Sequence, residues 1–109
     1  MQYNQSFNGR VYETQVVVQP GVPFVLQFAA ATPATLKIRA LGLGVSALVE
    51  DCLSPASTLA SGTAVFDAIE AIGDSGVISN AVVRSELLTP ITALRITATG
   101  GPVTVEVIQ

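Results

Sequence analysis

The stretch Pro90 to Gln109, PITALRITATGGPVTVEVIQ, reads as a β-hairpin. From Ile91 to Ala98 the residues alternate, with Thr92, Leu94, Ile96 and Ala98 on one face and Ile91, Ala93, Arg95 and Thr97 on the other. Val103, Val105 and Val107 then line one face of a second strand against Thr104, Glu106 and Ile108. Successive side chains of a strand point to opposite sides, so each run offers one apolar face to a core. Between the runs lies Gly100-Gly101-Pro102, and glycine accepts the positive φ that tight hairpin loops demand.

The same two-residue period recurs upstream. Val11 to Gln19 fits a first strand, with Tyr12, Thr14, Val16 and Val18 on one side. Pro20-Gly21 forms a turn, because proline presets the first central φ and glycine supplies the second. Val22 to Ala30 follows, with Val22, Phe24, Leu26 and Phe28 on one face as the densest core signal. After Thr32-Pro33, Thr35 to Leu41 turns Leu36, Ile38 and Ala40 inward and Lys37 and Arg39 outward. Gly42 and Gly44 mark a bend before Val45 to Cys52, whose two faces are less clearly divided, as in a strand buried on one side and touching a partner on the other.

Leu53 to Gly62 (LSPASTLASG) has the composition of a loop. Thr63 to Ile72 (TAVFDAIEAI) carries both helical spacing, with Gly73 placed as a C-terminal cap, and strand alternation. Its strand neighbours favour a short strand starting at Thr63. Gly73-Asp74-Ser75-Gly76 is a turn, Val77 to Val83 is weakly β, and Arg84 to Thr89 leads into the terminal hairpin. About seven or eight short strands with regular turn signals predict an all-β fold, a single antiparallel β-sandwich of jelly-roll-like or Ig-like form. The expected organisation is a polar N-terminal arm at 1–10 and a sandwich at 11–109.

Composition narrows the function. Of 109 residues, 50% are hydrophobic and only 12% charged, against about 25% charged in ordinary soluble domains. So neutral a surface is explained by an obligate oligomer or by burial against a larger partner. Membrane insertion fits poorly, because Gln27, Pro33, Lys37 and Arg39 interrupt the apolar runs well short of a spanning segment of about 20 residues. The opening MQYNQSFNGR has no basic n-region or apolar h-region, so synthesis and folding in a cytoplasm are expected. With a net charge of −3 and the five basic residues dispersed, nucleic acid is not an expected partner.

The chain contains no histidine and one cysteine, Cys52. Histidine-based acid–base and nucleophilic mechanisms are thereby excluded, as is an internal disulfide, and a zinc site would lack ligands. Glu50 and Asp51 are adjacent and on a strand point to opposite faces, so they cannot act as a cooperating carboxylate pair. Asp67, Glu70 and Asp74 do not match a calcium loop. Neither a catalytic residue, a metal site nor a cofactor is expected, and the chain reads as a non-enzyme. Candidate partner contacts are Tyr3 and Phe7, which could anchor the arm on a neighbour or cap the domain's own core, and Lys37 and Arg39 on an outward face. Arg95 reads either as a salt-bridge partner or as an exposed contact, and its position between Leu94 and Ile96 fits a paired and partly covered guanidinium.

Ala47–Pro55 (ALVEDCLSP), Gly62–Asp67 (GTAVFD) and Leu88–Val107 (LTPITALRITATGGPVTVEV) together resemble the small β-sandwich structural proteins of tailed bacteriophages. In these proteins an acidic residue is followed by a Ser-Pro turn, a Gly-Thr-Ala strand, then a Thr-Ala-Leu-Arg strand and a glycine hairpin. One departure is that the Gly-Thr-Ala strand often continues into tryptophans, where Phe66 and Ile69 stand here. The resemblance implies a virion protein, foremost a capsid decoration protein whose copies would associate and bridge subunits of the major capsid protein; of the possible homo-oligomers a trimer is favoured, because symmetric closure protects exposed edges. Neck, tail or fibre accessories are the related alternative, including a sandwich that binds a carbohydrate. The resemblance carries over no catalytic residues.

Overall fold

The computed structural model describes residues 2–3, 13–28, 33–88 and 91–109. Among them are ten strands: β1 (Gln2–Tyr3), β2 (Glu13–Val18), β3 (Phe24–Gln27), β4 (Ala34–Ala40), β5 (Ser46–Cys52), β6 (Asp67–Ala68), β7 (Val77–Ser79), β8 (Ala81–Leu87), β9 (Ala93–Thr99) and β10 (Val103–Ile108). One short helix, α1 (Ser57–Ser61), lies between β5 and β6. The strands form two antiparallel sheets, β1-β2-β10-β4-β8 and β3-β9-β5-β6, with β7 also paired to β5.

The pairing is nested. β5 pairs with β6 and β7, β4 with β8, β3 with β9, and β2 with β10, each first strand meeting a later one in reverse order. Such a chain is one long antiparallel hairpin rolled up on itself, closed by β10 against β4 and β9 against β5. If β6 and β7 count as two pieces of one strand, this is the eight-stranded jelly roll. Of the two sandwich forms that periodicity allows, the structure adopts the jelly roll, and β1 adds two residues at its rim.

The core is made by the alternation seen in the sequence. Leu36 and Ile38 of β4, Val103, Val105 and Val107 of β10, Leu94 and Ile96 of β9, and Val49 of β5 are all buried between the sheets. Each such side chain contributes about 1.5–3 kcal/mol of transfer free energy. On β2 the expected face is correct: Thr14 and Val18 are buried while Gln15 and Val17 are exposed. Tyr12 and Phe7 lie outside the described residues.

Several boundaries differ from the sequence reading. β3 is shorter than Val22 to Ala30, and Val22, placed in the core by alternation, is exposed because Pro20-Gly21 turns the chain there. The Leu53–Gly62 loop contains α1, closed by Gly62 at φ 76° as its C-terminal cap and by Thr58 Oγ1 donating to the Pro55 carbonyl at 2.6 Å. No strand starts at Thr63; only Asp67 and Ala68 join a sheet. The weak β signal after Val77 and the presumed lead-in at Arg84 are two strands, split at Asn80, whose φ is 47°. Asn80 holds that corner in place, its N–H donating to the Val45 carbonyl at 3.0 Å and its Oδ1 accepting from the Gly42 N–H at 3.1 Å. At the same end of the sandwich the Gly100 loop packs so closely that a Cβ on Gly100, which has φ +80°, would collide with the Gly44 carbonyl.

Candidate functional site

Opposite faces of β5 send its two acidic residues into different surroundings. Register places Glu50 beside Arg95 of β9 on the outer face of the second sheet. Arg95 Nε donates to Glu50 Oε1 at 2.9 Å and Nη2 donates to Oε2 at 3.1 Å. The chain between β5 and β6 folds back over this face, stitched by the Val65 N–H donating to Ser54 Oγ at 3.1 Å. This return sets the Phe66 ring over the Arg95 guanidinium, 4.2 Å from its centroid. The hydrogen bonds to Glu50 raise the Arg95 pKa, so the charge is fixed and already paired. The expectation for Arg95, a paired and partly covered guanidinium, is met.

Asp51 lies on the other face, directly opposite Asp67 of β6. Burial raises its pKa, and the neighbouring Asp67 carboxylate adds to the effect. The two acids border a hollow of about 270 Å³ with Leu53, Ser54 and Val65. Among the described residues, no three acidic or cysteine side chains converge closely enough to hold a metal ion. Cys52 is buried, although its register with Ala93 puts it on the outer side of the second sheet. A thiol so placed behaves as a small apolar side chain.

The outer face of the first sheet is polar. Lys37 and Arg39 stand on it as predicted, and the fold adds Arg84, because β8 pairs Arg84 with Lys37. Glu106 of β10 lies opposite Lys37 and accepts a hydrogen bond from Arg39 Nε at 3.0 Å. Three of the chain's five basic residues therefore meet on one face, a grouping invisible in sequence order. Glu86 and Glu106 alternate with them, so the face is mixed in sign and forms no stripe of positive charge for a phosphate backbone. Of the other two candidate contacts, the Tyr3 backbone pairs with Glu13 in β1, and Phe7 lies outside the described residues.

Apolar side chains are exposed at the periphery. Val17 and Val22 are exposed near the β2–β3 turn, where they help line a hollow of about 250 Å³ between Val16 and Phe24, and Val25 is exposed on the outer side of the second sheet, paired with Arg95. Leu41 and Leu43 project from the β4–β5 turn, and Val77, Val82 and Leu88 lie along the side formed by β7 and β8. A further hollow of about 280 Å³ is bounded by Val25, Leu59, Phe66 and Arg95. No helix among the described residues is long and apolar enough to cross a membrane. Comparison with known protein families, with characterised proteins and with solved structures finds no match.

Proposed function

We propose that the chain is a non-enzymatic structural protein of a virus particle, a decoration protein that associates with its own copies and bridges subunits of the major capsid protein of a tailed bacteriophage. The observation that carries this reading is the distribution of apolar side chains: a jelly roll with a well-filled core still exposes valines and leucines along its turns and edges. Scattered exposed leucines are ordinary, but their concentration on a chain this poor in charge fits surfaces completed by a partner. The Glu50–Arg95 pair is mutually satisfied, so the charge on the outer face of the second sheet is taken up within the domain. Jelly rolls serve as viral capsid domains and as lectins, so the fold agrees with the reading by analogy alone.

Binding would then work by multiplicity. Each contact of ordinary size buries about 1,600 Å², and repetition over a particle multiplies modest individual affinities. Copy number in purified particles, measured by quantitative mass spectrometry against the major capsid protein, tests the proposal. Comparable copy numbers support decoration; a few copies per particle indicate the neck or tail, and absence refutes the virion role. A second reading, a ligand-binding accessory, draws on the hollow beside Phe66 and Arg95, and glycan binding lost in Phe66→Ala would favour it.

A further inference from the structure

We propose that β8 is the self-association edge, pairing antiparallel with β8 of a second copy across a twofold axis that passes through Ser85 perpendicular to the sheet. β8 ends the first sheet: it pairs with β4 on one side, and among the described residues no strand pairs with the other. It is seven residues long, whereas the neighbouring edge of the second sheet is broken into the short β6 and β7. An edge of that length presents a row of backbone donors and acceptors to any incoming strand.

The side chains select the incoming strand. A twofold axis perpendicular to the sheet keeps outer faces on one side, so residues facing each other across it must share a face of β8. Arg84, Glu86 and Val82 share the exposed outer face, while Val83, Ser85 and Leu87 are half-buried toward the core. With the axis at Ser85, each Arg84 meets the Glu86 of the other copy. Val83 meets Leu87, and exposed Val82 meets exposed Leu88. Moving the axis to Arg84 or to Glu86 sets like charges against each other, and moving it to Val83 or Leu87 sets charge against an aliphatic side chain. Among these registers only that at Ser85 opposes unlike charges and pairs aliphatic side chains with each other from Val82 to Leu88, the contacts that stabilise a sheet. Charges on an edge ordinarily repel foreign strands; opposite signs two residues apart do so while admitting a copy of the same strand.

The product is a dimer whose two five-stranded sheets run on as one, in place of the threefold ring that closure of edges alone would favour. The proposal deepens the self-association in the functional reading and fails separately from it. A twofold dimer in solution with no chain in particles would remove the virion role and leave the dimer, whereas a trimer would do the reverse.

Sedimentation equilibrium on the full chain tests the edge. The wild type is expected to give a dimer, while Arg84→Glu and Glu86→Arg are each expected to weaken dimerisation by at least about tenfold, since each change creates two like-charge contacts per interface. The double variant restores it. Arg84→Glu also faces Lys37 across β4, so its own fold gains an attractive neighbour. Ser85→Cys gives a register readout: opposed Cα atoms about 4.5–5.5 Å apart fall within disulfide range, so oxidation should yield a covalent dimer. A monomer at high concentration, a trimer, a dimer indifferent to both single swaps, or cross-linking by Val83→Cys but not by Ser85→Cys would overturn the proposal.

Discussion

Replacing Glu50 with glutamine removes the charge that neutralises Arg95 while keeping the side chain's shape. The cost follows from how far the pair is withdrawn from water. Exposed ion pairs contribute about 0.2–1 kcal/mol, and breaking a fully buried pair costs about 3–5 kcal/mol. Here the Glu50 side chain is 12% exposed and Arg95 35%, so solvent still screens the guanidinium and the expected loss lies between those ranges, at about 2 kcal/mol. With an unfolding entropy of about 2.1 cal/mol/K per residue, a chain of 109 residues has about 0.23 kcal/mol/K in all, so Tm should fall by about 9 °C. Arg95→Met should cost more than Glu50→Gln, because it strands the more deeply buried partner. The double variant Glu50→Leu/Arg95→Met should return to within about 1 kcal/mol of wild type, since an apolar pair needs no neutralising partner. Thermal and urea unfolding of the four proteins supply the comparison. A loss below about 0.5 kcal/mol for Glu50→Gln, or a double variant as unstable as the sum of the singles, would show that the pair is solvated and that the Phe66 cover does not shield it.

Ile96→Ala, at a fully buried position of β9, should cost about 2–5 kcal/mol, read as a lower urea midpoint with unchanged slope. Gly100→Ala should destabilise by more than the ~1 kcal/mol of a strained positive φ, because its Cβ meets the Gly44 carbonyl; a melting curve within 2 °C of wild type, less than about 1 kcal/mol, would contradict that packing. Asp51 has its carboxyl pKa raised above the ordinary 3.8, so its favourable contribution is complete below that value and is lost as pH rises through the raised pKa. Asp51→Asn should therefore raise the urea midpoint at pH 7 and lose that advantage when the measurement is made at about pH 3; an equal gain at both pH values would rule out the carboxyl as its source.

Alternation made β4, β9 and β10 legible, because each has one face in the core and one in water. Partnership was not legible in the same way. Period-two patterning says that Arg95 and Glu50 face outward, but that they face each other depends on the register between β5 and β9. The choice of a jelly roll likewise depends on pairings between strands far apart in the chain. α1 left a local trace, a Ser-Pro start and a Gly62 stop around Ser57–Ser61, which the Ser, Thr and Gly content of the segment masked. β8 was underread for a physical reason: an edge strand is only half-covered, so Val82 and Arg84 share its outer face and the apolar pattern blurs. That blur also hid the grouping of Arg84 with Lys37 and Arg39.

The position of β10 opposes the order of synthesis to the order of assembly. It lies in the middle of the first sheet, between β2 and β4, yet it is made after every other described strand of the sandwich. Until Val103–Ile108 arrives, β1-β2 and β4-β8 are two unjoined fragments with a vacant slot between them, and the apolar faces of Leu36 and Ile38 lack the valines that cover them. Nested pairings of this kind close large loops before any contact compensates, which slows folding. The first sheet therefore cannot close until β10 has been made, and a nascent chain stalled before β10 is the species that most needs a chaperone.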